Sequence, residues 1–133
     1  MNEQAKLPGV KDLHAPVGQY SHALIVPAGG DLLFISGQVG IDPDGKVVPG
    51  LIGQAEQVFR NLAAILRANA LGPEHVVKMN IYLVAGQSLA DVRAVRMKAL
   101  GDLKPCSTLV FVAGLAAPDL LIEIEAIAVK PAA

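Results

Sequence analysis

Two carboxylates near the end of the chain have the spacing for acid–base chemistry. Glu123 and Glu125 are two residues apart in a stretch that alternates between apolar and polar residues, so both side chains lie on one face of a predicted strand. Their neighbours are nearly all apolar, and burial raises the pKa of a carboxyl group so that it can position or deprotonate water. A solvated sheet face is the simpler interpretation. The alternative is a catalytic carboxylate in a cleft between subunits.

A second charged pair, Arg93 and Arg96, is three residues apart in a predicted helix and therefore shares one helix face. An arginine side chain can bind a carboxylate through two parallel hydrogen bonds, which makes the pair a candidate anion clamp. Many such pairs are only a solvated stripe on a helix surface. The two residue types and their spacing leave both interpretations open.

A strand with two glycines, residues 32–40, supplies a third candidate. Glycine inside a strand indicates a bulge, or a place where a ligand or another backbone comes close. The segment is not a phosphate-binding loop, because it opens no helix and no Lys-Ser or Lys-Thr pair follows it. Gly37 therefore either forms a bulge or exposes its backbone amide to a ligand.

Other catalytic chemistries find little support. His14, His22 and His75 have no ligand spacing, and the single cysteine, Cys106, is distant from them in sequence, so we expect no metal site. The residues around Ser88 partly match the nucleophile elbow of a class of hydrolases. In those hydrolases the catalytic histidine follows the serine in the chain, whereas all three histidines of this sequence precede Ser88. We interpret Ser88 as the N-cap of a helix.

The composition limits the class of protein. The 133 residues fit one domain spanning 1–133, and 53% of them are apolar while only 17% are charged, against about 25% charged in an average soluble domain. This content excludes a disordered chain. The net charge of −1 argues against a nucleic-acid partner, which would require clustered cations. So few charges predict that copies of the chain cover part of its surface in a homo-oligomer.

The chain also carries signals about its environment. One cysteine cannot form an internal disulfide, and no secretion signal opens the sequence. The apolar stretches are interrupted well before the ~20 residues that a membrane span requires. We therefore expect a reduced, cytoplasmic, soluble protein with no membrane partner.

Hydrophobic periodicity predicts two helices and five strands, with a further short return strand, after an N-terminal arm over residues 1–18. The strands are expected at 20–26, 32–40, 76–84, 108–113 and 120–129, and the short one at 46–48. The first helix starts near Gly53, with Gln54 and Gln57 on its polar side, and is ended by Gly72-Pro73. The second starts at Ser88, with Asp91 in a capping position, and closes at Gly101.

These elements give the order β-β-(β)-α-β-α-β-β in an α+β domain with a mixed sheet. Two helices cannot cover both faces of such a sheet, so we place them on one face. The expected inward residues of the last strand are Ile122, Ile124, Ala126 and Ala128. The other sheet face is bare and carries apolar residues, which another subunit can cover.

Six stretches form a combination that is specific as a whole, although no single stretch is. They are Gly18-Gln19-Tyr20-Ser21, Leu33-Phe34-Ile35-Ser36-Gly37-Gln38, Ile41-Asp42-Pro43-Asp44-Gly45, residues 54–61, Val77-Lys78 and residues 122–128. Together they resemble the RidA (YjgF-type) family of reactive-intermediate deaminases over residues 15–129. The resemblance implies a chorismate-mutase-like fold and a homotrimer with ligand clefts between neighbouring subunits. It also implies hydrolysis of enamines and imines, such as 2-aminoacrylate, to oxo acids and ammonia without a metal or organic cofactor.

The same resemblance assigns roles to individual residues. Tyr20 matches a tyrosine that lines the cleft, Gly37 a glycine whose backbone faces the ligand, and Glu123 the acid that holds the attacking water. Ser107, followed by Thr108, occupies the position of the family's carboxylate-binding arginine, and it brings no charge. We therefore hypothesise that Arg93 or Arg96 supplies the positive charge from the helix.

The sequence thus favours a trimer that binds a small carboxylate or carbonyl metabolite and hydrolyses an imine or enamine other than 2-aminoacrylate. A trimer that binds a ligand or regulates without catalysis is the alternative. A ribonuclease is a third possibility, against which the lack of a basic patch and of a histidine pair argues.

Overall fold

The computed structural model describes residues 9–27 and 29–132 of the chain. These residues form one four-stranded sheet, two α-helices and a single turn of 3-10 helix. The elements in chain order are β1 (Asp31–Val39), α1 (Leu51–Ala68), the 3-10 turn (Pro73–His75), β2 (Val76–Val84), α2 (Leu89–Leu100), β3 (Cys106–Val112) and β4 (Ile122–Lys130). Part of the predicted arm, residues 1–8, lies outside the described residues, and residues 9–18 form no helix or strand.

The strands lie in the order β1-β4-β2-β3, so β1 and β3 are the edges of the sheet. β4 pairs antiparallel with both β1 and β2, whereas β3 runs parallel to β2. A parallel pair requires a crossover connection, and helix α2 supplies it. The crossover places α2 beside β3, so residues of these two elements can form a common surface.

The core lies between the sheet and the helices. Buried side chains of α1 and α2 pack with inward residues of β1, β2 and β4 in one cluster. The predicted inward residues of β4 are all buried, namely Ile122, Ile124, Ala126 and Ala128. A mixed sheet with both helices on one face confirms the predicted α+β class.

The ends of helix α2 are formed by the residues that the sequence indicates. The Ser88 hydroxyl accepts a hydrogen bond from the backbone N–H of Asp91 at 3.2 Å, which satisfies one free donor of the first turn. Gly101 ends the helix with a φ of 58°, a conformation that costs glycine little. These two caps fix where α2 begins and ends beside β3.

One prediction about α1 is wrong. Gln54 and Gln57 are buried, although their polarity placed them on the solvent side of the helix. The Gln54 amide donates to the carbonyl of Asp119 at 2.8 Å and accepts from the backbone N–H of Leu121 at 2.8 Å. An amide with both groups paired is stable in a core, and here it ties α1 to the loop before β4.

The predicted first strand, residues 20–26, does not form. Its only strand-like position is an isolated bridge at Ile25, and the return strand at 46–48 is likewise reduced to one bridge between Ile41 and Val47. Leu24 and Val26 nevertheless pack against Val129 on the sheet face opposite the helices. The apolar residues of this segment therefore pack on the sheet without belonging to it, because a strand also needs a hydrogen-bonded neighbour.

Candidate ligand cleft and active-site residues

A cleft of about 730 Å³ opens between α2, β3 and the segment before β1. The segment 17–20 forms one wall, one face of α2 forms another, and β3 residues between Ser107 and Phe111 form the floor. Five residues singled out in the sequence line it: Tyr20, Arg93, Arg96, Ser107 and Thr108. The topology brings them together, because β3 follows α2 and lies at the sheet edge.

Helix periodicity determines which α2 side chains reach the cleft. Leu89, Val92, Arg93, Arg96 and Met97 all line it. Their spacing of three and four residues places them on one face of the helix. The predicted shared face of the two arginines is thus confirmed, and apolar side chains flank the arginines on that face.

Arg96 connects three elements at the base of the cleft. Its Nη1 donates a hydrogen bond to Oγ of Ser107 at 3.1 Å, and its Nη2 donates to the carbonyl of Gln19. Its Nε is buried without an acceptor among the described residues. The guanidinium therefore holds the N-terminal segment and β3 against α2 and retains one unused donor.

The positive charges of Arg93 and Arg96 are not paired with a carboxylate of the described residues. Burial lowers the pKa of Arg96, and the neighbouring positive charge of Arg93 lowers it further. Arg93 is exposed. Within the part of the chain that the structure describes, the one ion pair joins His75 and Glu74, far along the chain from either arginine. Two unbalanced cations beside apolar walls attract an anion.

The position of Tyr20 follows from the residue after it. Ser21 is buried, and its hydroxyl donates to the carbonyl of Lys104 at 2.5 Å while its backbone N–H donates to the carbonyl of Pro105 at 3.3 Å. Tyr20 lies half-buried in the cleft wall, where its hydroxyl accepts a bond from the N–H of Val17 at 3.3 Å. The segment is thereby attached to the loop that leads into β3.

Thr108 lies at the rim of the cleft. Its side chain is exposed, and its hydroxyl accepts a hydrogen bond from Nζ of Lys78 at 3.0 Å. Because neighbouring residues of a strand point to opposite faces, Ser107 faces α2 while Thr108 faces the helix-free side of the sheet. The cleft therefore continues around the edge strand.

Gly37 and Glu123 form a separate pair on the helix-free face. The pairing of β1 with β4 shifts between Ile35 and Gln38, which agrees with a bulge, one of the two interpretations of Gly37 that the sequence left open. A Cβ atom at Gly37 would lie 2.8 Å from Cδ of Glu123 and would overlap its carboxylate. A larger residue at this position would require the Glu123 side chain to shift. The carboxylate receives no side-chain hydrogen bond from the described residues.

The second carboxylate, Glu125, is hydrogen-bonded to side chains of β2. It accepts hydrogen bonds from Nδ2 of Asn80 at 2.8 Å and from the hydroxyl of Tyr82 at 2.9 Å. The bond from Asn80, followed by that from Tyr82, lowers the pKa of Glu125, and the same contact raises the pKa of Tyr82. The two carboxylates of the strand thus differ: Glu125 is held ionised by its neighbours, and Glu123 is free to bind something else.

A family profile described as endoribonuclease L-PSP matches residues 11–130. The chain belongs to the RidA (YjgF-type) family. Among its relatives in this family, a RutC family protein of Pyrococcus horikoshii is 41% identical over 117 residues, covering 86% of this chain and 90% of that protein. The mouse 2-iminobutanoate/2-iminopropanoate deaminase is 35% identical over 118 residues, covering 87% and 84%.

Solved structures of RidA-type proteins agree with the fold. A Rid family protein of unknown function from Yersinia pestis superposes with a TM-score of 0.81 at 32% identity, covering 95% of this chain and 98% of that one. RidA from an Antarctic Psychrobacter gives a TM-score of 0.71 at 34% identity, with 93% and 98% covered. The chorismate-mutase-like, RidA-type fold is thereby established for this chain.

In this RidA-family protomer the seven predicted site residues fall into two groups. Five line the cleft, while Gly37 and Glu123 lie together on the helix-free face and do not line it. Sequence reasoning missed the apolar cleft residues and the partners of Glu125. The apolar cleft residues could have been found from their helical spacing with the arginines. The partners of Glu125 depend on the pairing of β2 with β4, which the sequence does not specify.

Residues 9–27 and 29–132 show neither a cluster of metal-ligating side chains nor a membrane-spanning helix. No three His, Cys, Asp or Glu side chains in these ranges come together as a metal site would require. Neither helix within them combines the length and apolar character needed to cross a membrane.

Proposed function

We propose that this RidA-family protein is a cytoplasmic homotrimer that hydrolyses an imine or enamine to a carbonyl compound and ammonia, without a metal or organic cofactor. The observation that carries the proposal is the contact of Glu123 with Gly37. The carboxylate of Glu123 is half-buried, lies next to the half-buried backbone of Gly37 and has no hydrogen-bond partner among the described side chains, so it can hold a water molecule. The mouse relative, named an iminobutanoate and iminopropanoate deaminase, supports the same reaction class.

The trimer joins the two groups of site residues. In one protomer the cleft opens at the β3 edge, while Glu123 lies on the helix-free face, two strands away. That face also exposes Leu32 at 55% and Phe34 at 70%, and covering such side chains stabilises an assembly. We place the cleft of one subunit against Gly37 and Glu123 of its neighbour, which makes each site complete only between two subunits.

The reaction follows from these groups. Arg93, assisted by Arg96, binds the substrate carboxylate, while Tyr20, Ser107 and Thr108 shape the cleft around it. Glu123 accepts a proton from a water molecule whose oxygen attacks the C=N carbon, and backbone groups near Gly37 and Ser107 polarise the substrate. Glu123 returns that proton to the imine nitrogen, which gives the neutral carbinolamine. The hydroxyl proton of the carbinolamine then passes through Glu123 to the amino group, the C–N bond breaks, and the carbonyl compound and ammonia are released. Water is the only other reactant.

The test follows ammonia release while an amino-acid oxidase generates imines in situ. We expect the protein to accelerate release, and Glu123→Gln to abolish the acceleration because an amide cannot accept the proton. Glu56→Gln removes an equal charge from the exposed surface of α1 and serves as the matched control. Acceleration that survives in Glu123→Gln would exclude the assigned role.

The second candidate is a trimer that binds or senses a ligand without catalysis. Ser107 favours it, because this serine replaces the charge that, by family resemblance, binds the substrate carboxylate. Its signature is a ligand retained through purification, together with no acceleration for any imine tested. The same assay therefore separates the two functions.

A further inference from the structure

We propose that the cleft selects a carboxylate with an apolar body larger than the three- and four-carbon imino acids named for the mouse relative. This inference rests on the proposed function, since it names the substrate class of the same site. It is carried by the distribution of charge and apolar surface within the cleft.

The first observation is that the cleft has a single charged side chain free at its mouth. Arg96 already donates to Ser107 and Gln19, whereas Arg93 is exposed and makes no side-chain hydrogen bond within the described ranges. Both partners of Arg96 are neutral, and no carboxylate of the described residues forms an ion pair with either arginine. An anionic head group on the ligand therefore binds at Arg93, with Arg96 adding to the field.

The second observation is that apolar side chains surround this charge. Leu89 and Met97 flank Arg93 one turn to either side on the cleft face of α2, and such neighbours lie about 5–6 Å apart. Val17 is 75%, Met97 46% and Phe111 51% exposed in the protomer. A ligand whose carboxylate lies at Arg93 must extend along these side chains, and an apolar body gains by covering them.

The third observation is the size of the space. A cleft of about 730 Å³ falls within the range of roughly 300–1,000 Å³ found for pockets that enclose drug-sized ligands. A four-carbon imino acid would leave most of it to water and most of the apolar wall uncovered. An aromatic or branched body of six or more carbons matches both the volume and the wall.

The test measures binding of stable 2-oxo acids to the intact protein by isothermal titration calorimetry. The series is pyruvate, 2-oxobutanoate, 4-methyl-2-oxopentanoate and 3-phenylpyruvate, with 3-phenylpropanol as a body without charge. We expect affinity to rise at least about tenfold from 2-oxobutanoate to 3-phenylpyruvate, and the alcohol to bind far more weakly than 3-phenylpyruvate. Equal affinities across the series, or equal binding of the alcohol, would overturn the inference.

A matched pair of variants assigns the gain to the cleft. Met97→Ser removes an apolar side chain from the wall, and Ile52→Ser removes one that is 50% exposed on α1, outside the cleft. Met97→Ser should weaken 3-phenylpyruvate severalfold and leave pyruvate unchanged, while Ile52→Ser should change neither. A loss of equal size in both variants, or in neither, would contradict the inference.

The ammonia assay keeps the two proposals apart. Tight binding of 3-phenylpyruvate without accelerated imine hydrolysis would contradict the proposed hydrolase function and support the proposed ligand selectivity. Equal acceleration of the hydrolysis of imines from alanine and from phenylalanine would support the hydrolase function and contradict the proposed selectivity.

Discussion

Arg96 of helix α2 donates a hydrogen bond from Nη1 to Oγ of Ser107 on strand β3, at 3.1 Å. Ser107 holds the position at which, by family resemblance, an arginine binds the substrate carboxylate. A positive charge from the helix therefore lies beside Ser107, and we propose that it takes the place of the strand arginine. Arg93, one turn earlier on α2, has no side-chain acceptor among the described residues.

Arg93→Ala should weaken binding of a carboxylate ligand at least about tenfold, because a hydrogen bond to a charged group contributes roughly 1.5–3 kcal/mol. Calorimetry with 3-phenylpyruvate measures the change. Lys98→Ala is the control, since it removes a cation of the same helix that lines a different groove, towards α1. An affinity that Arg93→Ala leaves unchanged would rule out the helix as the source of the binding charge.

Gly37→Ala should reduce imine hydrolysis by roughly 10²-fold or more, as expected when a general base is displaced. The added methyl group would overlap the Glu123 carboxylate and move it from its position. Gly114→Ala adds the same methyl group where no atom lies within 4 Å, so the rate of imine hydrolysis should not change. Circular dichroism checks that both variants fold. A Gly37→Ala protein with the wild-type rate would show that the position of Glu123 is irrelevant.

Gln54→Leu should lower the free energy of unfolding by about 1–3 kcal/mol, because it removes the partner of two backbone groups while keeping the volume of the side chain. Those groups are the carbonyl of Asp119 and the N–H of Leu121. Urea unfolding measures the difference. Glu56→Leu, two residues further along α1 and exposed, should have a much smaller effect. Equal stabilities of Gln54→Leu and wild type would show that these bonds contribute nothing.

The pH dependence of stability should reflect the network around Glu125. Hydrogen bonds from Asn80 and Tyr82 lower the pKa of Glu125 in the folded protein, so its contribution is present above its unfolded pKa of about 4.3 and is lost as pH falls through the folded pKa. Tyr82→Phe removes one of these bonds and should raise the pKa of Glu125. A carbon-detected NMR titration of the Glu125 carboxyl group follows it. An identical titration in both proteins would exclude the network as the cause.

The sequence pattern predicts the bounds of an element correctly where each of its faces has the same surroundings along the whole element. β2 has the predicted bounds, Val76–Val84, because its strict alternation reflects a strand with a core on one side. The caps of α2 at Ser88 and Gly101 are likewise local chemistry. Residues 20–26 are also rich in residues that favour strands, yet they form none, because nothing in a segment's own sequence specifies whether a neighbouring strand pairs with it.

In the candidate site, too, some features follow from local sequence and others depend on residues distant in the chain. The shared face of Arg93 and Arg96 could be predicted from spacing alone. The difference between Glu123 and Glu125 could not, because it depends on Asn80 and Tyr82 in a strand more than forty residues earlier. The burial of Gln54 was missed for a similar reason, since its partners lie in the loop before β4.

In the proposed trimer, Arg93 of one subunit and Glu123 of its neighbour act in the same site. Mixed trimers test this arrangement: Arg93→Ala and Glu123→Gln proteins, each with little activity at low imine concentration, are unfolded together and refolded at equal amounts. Mass spectrometry confirms that the subunits have mixed. If sites are shared between subunits, about a quarter of them regain both side chains, and the mixture recovers about a quarter of the wild-type activity. A mixed population that stays as inactive as its two parents would contradict the shared site.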